Sequence, residues 1–129
     1  MSCKSKGINA ERELIHLFWQ THDWAACRIA GSGSIKYPSA DVLASNSKRK
    51  LAIEAKVTKD QAKYFSLDEL SQLREFSRLF GAEPWIAVKF KNHDWFFISL
   101  DDLKKTKSNF VVTSELAKLK GLTFQELLQ

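Results

Sequence analysis

Apolar residues recur along this chain in two periods, and the switches between them mark the elements. Ile8, Leu14, Ile15 and Phe18 fall at helical spacing and predict a helix from Gly7 to about Thr21. Trp24 to Ile29 alternates and predicts a strand, with Ala25, Cys27 and Ile29 on one face and Arg28 on the other. Residues 40–44 and 51–56 predict the two strands of a hairpin around Ser45–Lys50. A capping box, Ser66 with Glu69, opens a helix that runs to Phe80 and stops at Gly81, with Leu67, Leu70, Leu73, Phe76 and Phe80 as its buried stripe. Strands follow over 85–90 and 94–98 around an Asn92-His93 turn. Both are apolar on both faces, so helices or a second subunit must cover them. Ser99 is placed to cap a short helix to about Lys105, residues 110–112 to form a last strand, and 114–120 and 123–128 to form short helices. Helices and strands mix throughout, without repeat or linker, which predicts one α/β domain over 1–129.

The hairpin carries the chemistry. In its second strand Leu51, Ile53, Ala55 and Val57 share the apolar face, while Glu54 and Lys56 share the other. Asp41 opens the first strand, where pairing would bring it opposite the Glu54 region. Two carboxylates and an ammonium would then converge in a half-buried place, a setting that suits a hard divalent cation such as magnesium. Taken alone, an acid and a lysine two apart on a strand are more often a solvated face.

Charge changes that picture. The chain has 129 residues and a formal net charge of +5. Residues 1–63 hold eleven Lys and Arg against six Asp and Glu, whereas residues 64–129 hold nine of each. All the excess lies in the half with the candidate site, which suits a polyanion, nucleic acid first. No apolar run approaches a bilayer span and the N-terminus lacks a signal-peptide core, so an intracellular (cytoplasmic) protein with no membrane partner is expected. Cys3 and Cys27 are too few for a disulfide framework and read as free thiols. Four Trp and nine Phe are many for a monomer of this size and point to a second subunit over at least one patch.

Other residues take their interest from position. Glu11 lies on the apolar face of the first helix and needs a partner, a proton or a metal, unless it sits at the solvated rim. Glu13 points to water, and Arg12 projects toward a phosphate. The loop from Gly31 to Ser39 has two glycines, small hydroxyls and Lys36, and leads directly into Asp41. It is either an anion-binding loop or an ordinary connection. Lys48-Arg49-Lys50 reads as a solubilising hairpin tip, and Lys59 and Lys63 extend a basic rim beyond Glu54. His16, His22 and His93 sit in no motif, so no histidine base is assigned.

In order, these pieces are an inward Glu on a first helix, an Arg ending a strand, a Gly/Ser loop, then Asp and Glu-x-Lys on a hairpin. With K-G-I-N-A-E-R-E at 6–13, R-I-A-G-S-G-S at 28–34, Asp41, I-E-A-K at 53–56, F-S-R-L-F-G at 76–81 and I-A-V-K-F at 86–90, the chain resembles the archaeal Holliday-junction resolvases of the PD-(D/E)xK nuclease class over residues 4–100. The resemblance implies a central mixed β-sheet flanked by helices, a restriction-endonuclease-like core. It implies magnesium, with manganese able to substitute, held by Asp41, Glu54, the carbonyl of Ala55 and Glu11. Lys56 would position the attacking water or stabilise charge on the phosphorus centre. Arg12 and Arg28 would grip phosphates, with Ser32, Ser34 and Lys36 contacting DNA from the loop, Ser32 nearest the cut. The partners implied are four-way junction DNA and a second copy of the chain, the homodimer cutting two strands symmetrically. Ala40 stands where the class name has Pro, and Pro38 lies two residues earlier. The residues alone leave room for a nuclease acting on linear duplex, or for an inactive DNA-binding protein on the same fold.

Overall fold

The structure is a computed structural model that describes residues 3–31 and 36–129, with side chains from Lys6 onward. Helix α1 (Cys3–Trp19) leads into β1 (Ala25–Arg28), β2 (Val42–Ser45), β3 (Lys50–Thr58) and β4 (Ala62–Ser66). Helix α2 (Leu67–Phe80) precedes β5 (Glu83–Phe90) and β6 (Trp95–Ser99). A 3-10 turn (Leu100–Asp102), β7 (Lys104–Lys105), β8 (Asn109–Thr113), α3 (Ser114–Lys120) and α4 (Phe124–Leu127) complete the chain.

Strands β1-β2-β3-β5-β6 form one mixed sheet in that order, and β4-β8-β7 form a second. Only β3 and β5 run parallel, joined by the crossover that carries α2; the other pairs are antiparallel. Strand alternation sends successive residues of β3 into two separate cores. Leu51 and Ile53 are sealed against α1 with Leu14, Phe18, Trp24 and Phe97. Ala52 is sealed on the opposite face with Leu70 and Leu73 of α2, together with Phe65, Ile86, Ile98 and Val112. The second sheet packs into this latter core through Phe65 of β4 and Val112 of β8. Among the described residues no helix is long and apolar enough to cross a membrane.

Helix α2 follows its sequence signals. Ser66 Oγ accepts from Glu69 N–H, the Glu69 carboxylate accepts in return from Ser66 N–H, and Gly81 takes the left-handed φ of 76° that ends the helix. Its stripe is shorter than the periodicity implies. Leu70 and Leu73 are buried, but Leu67 and Phe80 are nearly half exposed because the helix overhangs the sheet at both ends. Val57 also departs from the expected face: the sheet core ends at Ala55, and Val57 stands 43% exposed. The predicted helix after Ser99 is only a 3-10 turn, since Lys104 and Lys105 are drawn into pairing with Val111 and Phe110. The first helix begins at Cys3 rather than Gly7, and strand β4 and the second sheet were not predicted.

Strands β5 and β6 are covered by the chain's own elements, with Ala87, Phe97 and Ile98 fully buried. An uncovered apolar groove lies at the other edge of the sheet. Ala25 and Cys27 on the outer face of β1, with Leu43, Trp19 and Phe80, line a groove of about 380 Å³. The hairpin tip is structural in part: Arg49 donates from Nε and an Nη to the two carboxylate oxygens of Glu83, both at 2.9 Å, and from the other Nη to the Leu127 carbonyl at 2.7 Å.

Candidate active site

The hairpin register decides the site. Val42 pairs with Ile53 and Leu43 with Ala52, so the next position outward sets Asp41 opposite Glu54. The ladder continues there, with Asp41 N–H donating to the Ile53 carbonyl at 3.0 Å. Asp41 Oδ2 accepts from Ala55 N–H at 3.0 Å, which fixes the carboxylate across the strand. Lys56 Nζ lies 3.5 Å from Glu54 Oε2 and 3.8 Å from Glu69 Oε2, so α2 supplies a second acid to the lysine. From the α1 side, Glu11 Oε1 accepts from Arg28 Nε at 2.8 Å, with both side chains mostly shielded.

Electrostatics bind these groups into one cluster. Glu54 is pushed up to about 8, first by burial and then by the Asp41 charge and its hydrogen-bonding contact, against the pull of Lys56. Glu11 is raised as well, by burial and then Asp41, with Arg28 and Lys56 opposing. Burial lowers Lys56, but Glu54, Glu69 and Asp41 together outweigh it and hold the ammonium above its ordinary range. Two carboxylates are thus pressed together at a cost that bound positive charge would relieve.

That donor set fits a divalent cation. Asp41 and Glu54 offer acidic oxygens side by side, as hard cations require. Glu11, engaged by Arg28, does not complete a ready-made group of three: among the described residues no three Asp, Glu, His or Cys side chains form a metal cluster. Asp41, Ala55 and Lys56 open onto a cleft of about 1250 Å³, which Glu11, Arg28, Lys6, Lys59, Lys63, Lys89 and Lys91 also line.

Sequence reasoning therefore brought together Glu11, Arg28, Asp41, Glu54, Ala55 and Lys56. Arg12 and Lys36 are exposed and stand outside the cleft lining, and Ser32 and Ser34 lie outside the described residues. Glu13 is exposed, as expected, and also ties α1 to the sheet: its Oε1 accepts from Lys89 Nζ at 2.7 Å and from Trp95 Nε1 at 2.9 Å. The role of Glu69 beside Lys56 was missed, because its capping-box signal accounted for it fully.

A five-stranded mixed sheet flanked by helices, with Asp41 facing the Glu54-x-Lys56 strand, defines a restriction-endonuclease-like nuclease of the PD-(D/E)xK class. Comparison with known proteins narrows this. The family model described as archaeal Holliday junction resolvase (Hjc) matches residues 2–129. The crossover junction endodeoxyribonuclease Hjc of Archaeoglobus fulgidus is 39% identical over 130 residues, covering 95% of each chain. That of Methanocaldococcus jannaschii is 30% identical, covering 95% of this chain and 86% of its own. The solved structure of Archaeoglobus fulgidus Hjc, a Holliday junction resolvase from an archaeal hyperthermophile, superposes with a TM-score of 0.86 at 37% identity, covering 95% of this chain and 94% of its own. The chain belongs to the archaeal Holliday junction resolvases, a family of endonucleases.

Proposed function

We propose that this chain is a magnesium-dependent endonuclease that resolves four-way DNA junctions as a homodimer, one nuclease domain and one site per copy. The observation that carries the reading is the Asp41–Glu54 carboxylate pair fixed across the hairpin beside Lys56, at the base of a cation-lined cleft. Asp41, Glu54 and the Ala55 carbonyl would hold the ion, and Glu11 would reach it through water. Manganese, another oxygen-seeking divalent ion, would substitute. When bound, the ion relieves negative charge at the scissile phosphate and lowers the pKa of water.

The chain's own side chains do the rest. Lys56, an ammonium beside Glu54 and Glu69, would orient water and offset charge on the phosphorus centre. Arg28 holds Glu11 through Nε, which leaves its Nη groups to donate to a phosphate oxygen. Exposed Arg12 and Lys36, with Ser34 of the loop, would meet the DNA backbone, and Ser32 would meet it near the cut. Phosphate contacts of this kind read shape rather than sequence, as a branched substrate requires.

Paired cuts need paired sites. The apolar groove at the β1 edge, lined by Ala25, Cys27, Leu43 and Phe80, supports a second copy there, because burying it would remove otherwise exposed apolar surface. A monomeric mass at micromolar concentration would overturn the dimer.

The test is cleavage of a four-way junction, a linear duplex and a single strand, each with magnesium and with chelator. Symmetric, magnesium-dependent cuts confined to the junction are expected. Cutting of linear duplex would retain the site and change the target. Tight junction binding without a cut under any divalent metal would overturn the catalytic reading.

A further inference from the structure

The parallel pair β3 and β5 ends at the cleft, and cations cluster beyond those ends. Val57 pairs with Lys89 and Thr58 with Phe90, so Lys59 and Lys91 are the next positions on neighbouring strands. Lys63 follows from the start of β4, and all three line the same cleft as Asp41 and Lys56. In a sheet of this kind the carboxyl ends of parallel strands are where ligands gather. These lysines, like Lys6, differ from three other cations of the cleft. Lys56, Lys89 and Arg28 each have an acid within 4 Å. Lys59, Lys63 and Lys91 make no ion pair among the described residues, and Asp60, in the turn between the first two, leaves this rim at a formal +2. Unpaired like charges held on a concave wall repel one another unless a polyanion occupies it.

We infer that Lys59, Lys63 and Lys91 form a phosphate-binding rim for the stretch of the junction arm beyond the scissile phosphate, supplying affinity and orientation without taking part in the chemistry. The inference rests on the proposed nuclease reading and adds a second contact region to it. Spacing sets where the rim acts. Lys59 is five residues past Glu54, about 16 Å along an extended strand. At about 3.4 Å of rise per phosphate on one strand, the rim meets the backbone about five base steps from the cut.

The test compares two triple variants that each remove three positive charges. One is Lys59→Gln/Lys63→Gln/Lys91→Gln. The other is Lys104→Gln/Lys105→Gln/Lys107→Gln, on the exposed β7–β8 hairpin outside the cleft lining. Junction binding is measured in chelator across a salt series. Each phosphate contact contributes about 0.9 to the slope of log K against log salt, so the rim variant is expected to lose about 2 to 3 units of slope. The hairpin variant should lose less than about one unit. Equal slopes in the two variants, or an unchanged slope in the rim variant, would overturn the rim. If the slopes separate while even the parent fails to cleave, the rim stands and the catalytic reading falls.

Discussion

Strand β3 begins beside one cluster of charge and runs into another, and the two are built on opposite rules. At its start, Arg49 meets Glu83 through two parallel hydrogen bonds, caps the Leu127 carbonyl and lies 5.8 Å over the Trp24 ring. Arg49 and Glu83 thus neutralise each other. The Arg49 hydrogen bonds hold Glu83 below its ordinary range, against the effect of burial. Farther along, Asp41 and Glu54 are forced together and Glu54 is raised to about 8. One cluster is satisfied by the fold; in the other, two carboxylates crowd together and their repulsion is relieved by a proton or a bound cation. A site proposed to bind an ion cannot also be internally neutralised, and on that reading this is where local stability gives way to function.

The sharpest way to break the contrast is to make the same change at both ends. Glu54→Gln removes a proposed metal ligand and keeps the shape. Cleavage should fall on the order of a thousandfold or more, with junction binding in chelator nearly unchanged. Glu83→Gln should leave single-turnover cleavage within about twofold of the parent, because a pair outside the cleft touches nothing that reacts. Full activity in the first variant would remove Glu54 from the site.

Metal addition separates the ends through stability. A ligand that binds only the folded chain stabilises it by RT ln(1 + [L]/Kd), about 2.7 kcal/mol at a hundredfold excess over Kd. Magnesium should therefore raise the parent's Tm by several degrees over chelator, raise that of Glu83→Gln equally, and leave Glu54→Gln unmoved. An equal rise in all three would mean the ion binds elsewhere.

The pair at the start of β3 should instead appear in stability alone. Arg49→Ala loses a bidentate bond, a carbonyl contact and a ring contact. Both charged side chains are about a third exposed, so solvent screening holds the cost to about 1–2 kcal/mol. Glu83→Gln should cost less, with a pH signature. The folded carboxyl sits below its ordinary value of 4.5, so its contribution is complete above that value and is lost as pH falls through the folded one. Denaturant midpoints of parent and Glu83→Gln should converge as pH drops below about 4.5. A gap that persists at lower pH would mean the ion pair is not what the variant lost.

The sequence disclosed these two regions unequally. Asp41, Glu54 and Lys56 were legible because strand period and hairpin register are local, and they suffice to align three side chains on one edge. The caps of α2 were legible for the same reason. Arg49 and Glu83 are 34 positions apart, and Glu13 and Lys89 are 76 apart, so neither pair leaves a local pattern. Arg49 read as part of a solvated tip and Glu13 as a surface acid. Strand β4 escaped because Ala62-Lys63-Tyr64 shows no apolar alternation; its one sealed residue, Phe65, is held by pairing with Phe110 from far along the chain. Leu67 and Phe80 were read as buried because helical period names a face without saying how wide a sheet lies beneath it.

Lys48 offers the smallest effect and the finest test. It shares the basic tip with Arg49 and Lys50, but its side chain is exposed and makes no ion pair among the described residues. Its backbone N–H donates to Asn46 Oδ1 at 3.0 Å. Lys50 differs in lying 5.5 Å over the Phe80 ring. Lys48→Ala should therefore change stability by less than about 0.5 kcal/mol. It should also change the salt slope of junction binding by less than one phosphate's share of about 0.9. The tip lies at the end of β3 away from the cleft, so a cation there adds to solubility and to the distant field, which salt screens within about 10 Å. A loss of affinity matching that of a rim lysine would place DNA at both ends of β3. The Arg49 cluster would then be a support for a second contact surface, and the division between a satisfied end and a charged end would no longer hold.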